Sequence, residues 1–84
     1  MTHIIKILEP YADAIIDGRK KFEVRQNDRG YNAGDKIWFR VIYPDKTIFS
    51  THPLNKKRYS ITYVYSGAGL QNNYVVFGIE ESKE

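Results

Sequence analysis

Apolar and polar residues alternate with a period of two along much of this chain, and the departures from that period mark its turns. Residues 3–8 read as an Ile-rich strand stopped by Glu9 and Pro10. A short helix is predicted over residues 10–17. Pro10 suits a first helical turn, Tyr11/Ile15 and Ala12/Ile16 are i, i+4 pairs, and Gly18 is placed for the left-handed residue that ends a helix. Residues 20–26 alternate again, with Phe22 and Val24 on an apolar face and Lys21, Glu23 and Arg25 on an ionic one. The turn formers of residues 27–35 reverse the chain, and residues 37–43 form the next strand, whose Trp38 is expected in the core.

Residues 44–57 read as a long connection with room for a short edge strand over 47–51. Residues 59–65 alternate Tyr59, Ile61, Tyr63 and Tyr65 against Ser60, Thr62 and Val64, which predicts a strand whose tyrosines fill core and rim. A glycine-rich loop over 67–73 precedes a last strand over 74–80. The pattern therefore predicts a mainly β, α+β fold, with five or six strands and one or two short helices. The strands follow one another too closely for successive crossover helices, so a small sheet closing toward a barrel is expected.

Composition narrows the classes. Eighty-four residues hold one domain, spanning 1–84, and the absence of cysteine excludes disulfide and thiolate-zinc stabilisation. His3 and His52 are too few for a multi-histidine metal site, and no metal or cofactor is expected. The first apolar run is interrupted by Lys6, far short of a membrane span or a secretory core, so a soluble, cytoplasmic protein is expected.

Charge is placed unevenly. Residues 19–29 carry five cations against two carboxylates, which equals the net +3 of the whole chain. A second cluster, Lys56, Lys57 and Arg58, offers either a solvated turn or a phosphate contact, and the end of the chain is acidic. The most informative stretch is 18–25, Gly-Arg-Lys-Lys-Phe-Glu-Val-Arg. Glu23, Arg25 and Asn27 share a phase, placing an acceptor, a guanidinium fork and a carboxamide side by side. Such a row either reads a base edge or makes ordinary ion pairs on an exposed sheet face.

Gly18, Lys20, Glu23 and Arg25 fit G-x-K-x-x-E-x-R at every specified position, and this resembles the motif of the ASCH (activating signal cointegrator homology) superfamily. The run from Phe22 to Arg29, then Gly34 and Asp35, and the closing strand from Tyr74 to Ile79 look like a small bacterial and phage branch still described as a domain of unknown function. The resemblance leaves only about residues 44–58 uncovered. It implies a PUA-like β-barrel and RNA-related work in a cleft beside the helix that precedes the motif. It carries over Lys20, Glu23 and Arg25 as binding residues, followed by Asn27, Asp28 and Arg29; the expected partner is RNA or a nucleotide-like ligand, with Lys20, Lys21 and Arg29 holding phosphate. Strict alternation sets Lys20 opposite Glu23, so convergence of the motif requires a bulge or a late strand start.

One enzymatic branch of the superfamily hydrolyses N4-acetylcytidine with a lysine and a threonine three residues later. Here Glu23 holds the threonine position, so that activity does not transfer. A hydrolase acting on RNA or an acylated nucleoside remains an alternative, with Glu23 as base, Lys20 or Arg25 stabilising charge and His3 as acid. A protein-interaction module with a basic face is a third reading. Tyr31 and Tyr74, flanking loops, are the tyrosines best placed to stack on a base, and His52 is read as structural.

Overall fold

The protein, described from a computed structural model over residues 1–45 and 51–83, folds as a curled five-stranded sheet with one α-helix. Strand β1 (Thr2–Leu8) leads directly into helix α1 (Glu9–Ile16), with Pro10 in its first turn. Gly18 takes φ +87° just beyond the helix, and its N–H bonds the Ile15 carbonyl at 3.1 Å. Strands β2 (Phe22–Gln26), β3 (Lys36–Ile42), β4 (Tyr59–Tyr65) and β5 (Tyr74–Glu81) follow, with a 3-10 turn over Pro53–Lys56 between β3 and β4. The edge strand expected over 47–51 lies outside the described residues, apart from Thr51 in a turn.

The strand order is β1-β3-β4-β5-β2. β1 and β3 run parallel, and the remaining neighbours are antiparallel. β1 and β2 are thus the two edges, brought toward each other by the curl of a half-barrel. Inside it lie Ile5, Ile7, Ile37, Phe39, Val41, Val75, Phe77 and Ile79 from the strands, and Ala12 and Ile15 from α1. His52 pins the long connection to the helix: Nδ1 accepts the Leu54 N–H at 3.1 Å, and Nε2 lies 2.8 Å from Asp13 Oδ1. Because Nδ1 accepts, Nε2 carries the proton and donates to Asp13.

Two faces are turned opposite to the pattern's expectation. In β2 it is Glu23 that is buried, at 4% exposure, while Phe22 and Val24 stand half exposed at 47% and 48%. The core space opposite β2 is filled instead by Tyr31, whose ring centroid lies 4.9 Å from Phe77 and 4.7 Å from His3. Tyr31 is buried and so does not stand out as a stacking residue. In β4 a bulge between Ile61 and Tyr63 shifts the register, so Tyr59 and Ile61 face the core but Tyr63 and Tyr65 turn outward and Val64 packs inward. The bulge residue Thr62 leans over Gly78, where a Cβ would lie 2.5 Å from its Oγ1. Trp38 also departs from the core: it is half-buried on the outward face of β3.

Candidate functional site

The two sheet edges meet at a seam with no backbone ladder, and side chains close it. Arg25 Nη2 donates to the Lys6 carbonyl at 2.6 Å, and Arg29 Nη1 donates to the Ile4 carbonyl at 2.8 Å. These are charge-assisted bonds to edge carbonyls of β1. Above them opens a cleft of about 420 Å³ between β1, the start of α1 and β2.

The short link before β2 explains how the motif converges. β2 begins only at Phe22, so Lys20 is free of the alternation, and its backbone N–H is tied to the Ala14 carbonyl at the end of α1, at 3.0 Å. Its side chain turns into the cleft, donating to the Phe22 carbonyl at 2.6 Å and pairing with Glu23 Oε2. Arg25 takes the other oxygen, with Nε 2.9 Å from Glu23 Oε1. Glu23 is thus a buried carboxylate with both oxygens engaged by cations. Burial of a lone carboxylate costs several kcal/mol, and two cations with directed hydrogen bonds offset it. The triad keeps one positive charge in excess, facing a cleft whose walls are largely apolar.

Those walls are the residues that pattern reading assigned elsewhere. Tyr11 is 54% exposed and Phe22 47%. The Lys20 ammonium lies 5.0 Å from the Phe22 ring centroid and 6.0 Å from that of Tyr11. Val24, Lys6, Ile7 and Leu8 complete the lining. The aromatic residues look like core in a periodicity reading, and Lys6 looks like a solvated strand position. Only their proximity across the seam makes them one surface.

The other residues singled out from sequence disperse. Lys21 is exposed and lines a neighbouring hollow with Lys57, Glu80 and Glu81. Asn27 is committed to its own turn, its Oδ1 accepting the Tyr31 N–H at 3.1 Å. Asp28 is exposed in that turn, and Arg29 serves the seam. Tyr74 is half-buried opposite Gln26, outside the cleft. His3, the candidate acid, is 3% exposed and outside the cleft lining, with Nε2 2.8 Å from Asp35 Oδ2. That bond, more than any other influence, holds the Asp35 carboxyl below its ordinary pKa, helped by the Asn32 N–H and the terminal amine. Burial pushes the Tyr31 phenol up. Among the described residues no group of three or more His, Asp or Glu side chains is arranged to hold a metal ion, and no helix is long and apolar enough to cross a membrane.

Residues 2–79 match the family described as a domain of unknown function, DUF3850. The chain belongs to this family. No curated protein matches it. Among solved structures it is similar to the crystal structure of a hypothetical protein, PH0355, with a TM-score of 0.64 over 98% of this chain and 100% of that one. At 16% identity this similarity speaks for the fold alone.

Proposed function

We propose that this DUF3850 domain is an ASCH-type, PUA-like module that binds RNA, or a modified nucleobase or nucleotide, in the cleft at the β1–β2 seam. The observation that carries the reading is the convergence of Lys20, Glu23 and Arg25 on one cleft whose rim presents Tyr11 and Phe22. In this reading a base lies against Phe22 and Tyr11, where stacking contributes about 1–3 kcal/mol. The ammonium of Lys20 and the guanidinium of Arg25 donate to carbonyl or phosphate oxygens, and Glu23 orients both cations. Asn27 and Lys21 drop out of the binding set because their side chains serve other surroundings.

Binding suits this geometry better than hydrolysis. The acid of the hydrolytic scheme is missing from the cleft, because His3 lies outside its lining and is committed to Asp35 at 2.8 Å. Titration of nucleoside monophosphates and short single-stranded RNA at two salt concentrations tests the proposal. Binding at low salt that is lost in Glu23→Ala and Arg25→Ala supports it. Absence of binding at low salt, or binding untouched by both substitutions, refutes it, and release of a product during incubation points to the hydrolase alternative. The same reading includes a cytoplasmic location for this binding.

A further inference from the structure

Beyond the seam, the outward face of β1 and β3 carries a second concentration of positive charge. The parallel register sets Ile4 beside Trp38 and Lys6 beside Arg40, and these four side chains share a face because their neighbours Ile5, Ile7, Ile37, Phe39 and Val41 point into the core. Arg58, arriving just before β4, lays its guanidinium over the indole of Trp38, 3.7 Å from the ring centroid. Arg40 approaches the same ring at 5.6 Å. The indole cannot swing away, since its N–H donates to the Asn55 carbonyl at 2.7 Å. A guanidinium held this close over a hydrogen-bonded ring loses little further freedom when it binds an anion or stacks on a base.

This face has no counter-charge of its own among the described residues. Among the described residues no carboxylate forms an ion pair with Lys6, Arg40 or Arg58, while Glu81, in the hollow beside Arg58, is held by Lys57 at 2.9 Å. Like charges collected on one sheet face repel, and an anionic partner relieves that repulsion. The face is also continuous with the cleft. Lys6 lines the cleft and is the cross-strand neighbour of Arg40, so a chain of phosphates leaving the cleft meets Lys6, then Arg40, then Arg58.

We propose that this face is a second nucleic-acid contact: a single-stranded RNA with one nucleotide in the cleft runs across β1, its phosphates held by Lys6, Arg40 and the Trp38-supported Arg58. The direction of travel rests on the cleft reading, whereas the contact itself rests on the charge and the supported guanidinium.

The test uses a labelled single strand of about 12 nucleotides, within the usual span of single-strand sites, alongside a nucleoside monophosphate. The double variant Arg40→Gln/Arg58→Gln is expected to bind the oligonucleotide on the order of tenfold more weakly at low salt. Its plot of log affinity against log salt should be shallower by about 1.4, two phosphate contacts at about 0.7 each. Its affinity for the monophosphate should be unchanged. Arg58→Lys keeps the charge but not the planar stack and should fall between. Circular dichroism verifies folding of each variant. Wild-type affinity and slope in the double variant overturn the proposal, as does a wild-type protein that binds no oligonucleotide at low salt, the result expected if the partner is instead an acidic protein. Should Lys20→Ala and Glu23→Gln leave both ligands bound while the double variant loses the oligonucleotide, the cleft reading falls and the face stands.

Discussion

Arg25 joins two strands that share no ladder: from β2 it donates to the carbonyl of Lys6 in β1 at 2.6 Å, while its Nε holds Glu23 at 2.9 Å. The same guanidinium therefore closes the half-barrel, neutralises a buried carboxylate and lines the cleft. Fold and site share their atoms here, so substitutions at the motif should be read for stability as well as for binding.

The asymmetry of the triad predicts which substitution harms folding most. Arg25→Met leaves Glu23, only 5% exposed at its side chain, with one cation and removes one of the two arginine bonds across the seam. A loss of about 3 kcal/mol is expected, since removal of one partner leaves buried charge poorly compensated. For Glu23→Leu the loss should be smaller, because the cations left behind reach solvent, and Glu23→Leu/Arg25→Met should recover part of the Arg25→Met loss. Denaturant unfolding of the three variants gives the coupling directly. Additive losses would show that the two groups act independently.

Phe22 and Tyr11 separate binding from folding. Both are about half exposed, so Phe22→Ala and Tyr11→Ala should lower stability by only about 1 kcal/mol. If they stack on a base, each should weaken nucleotide binding roughly tenfold or more. Calorimetric titration beside thermal unfolding distinguishes a stacking wall from a structural one.

Acid should reveal Asp35. Its folded-state pKa is held below the ordinary 3.8, chiefly by the hydrogen bond from His3. Between the two values the unfolded chain binds more protons, so this contribution to stability is fully present above about 3.8 and is lost as pH falls through the lowered folded value. Asp35→Asn should flatten that part of the acid limb in urea titrations at stepped pH. An acid limb unchanged by the substitution would assign it to other carboxylates.

Alkali should reveal Tyr31 with the opposite sign. Burial raises its folded-state pKa above 10.0, so the unfolded chain ionises first and stability falls as pH rises past that value. Tyr59 behaves likewise through burial and the nearby Glu81. Tyr31→Phe should therefore soften the alkaline limb, measured as the change in urea midpoint between pH 9 and 11 (about one unit either side of an ordinary tyrosine's pKa).

Gly78 and Thr62 form a steric pair across the β4 bulge. A Cβ at Gly78 would lie 2.5 Å from Thr62 Oγ1, so Gly78→Ala should cost about 1 kcal/mol or more, and Thr62→Ala in the same chain should restore most of it. Failure of the second substitution to rescue the first would place the strain elsewhere in β5.

Much of this architecture was legible in the sequence. The order and kind of elements, the helix ending at Gly18 and the turn over 27–35 follow from local preferences, which act over a few residues and survive in any context. The grouping of Lys20, Glu23 and Arg25 was legible through the motif. Period alone leaves the phase of a strand open. Which side of β2 faces inward was settled by pairing with β5, by Tyr31 filling the apolar space, and by two cations close enough to offset a buried Glu23. In β4 one inserted residue reversed Tyr63 and Tyr65 against their own alternation. The cleft itself depends on β1 and β2 becoming the facing edges of a curled sheet, a relation between strands that do not pair with each other. Burial energies of that kind are decided between distant segments, and so only the tertiary structure could supply them.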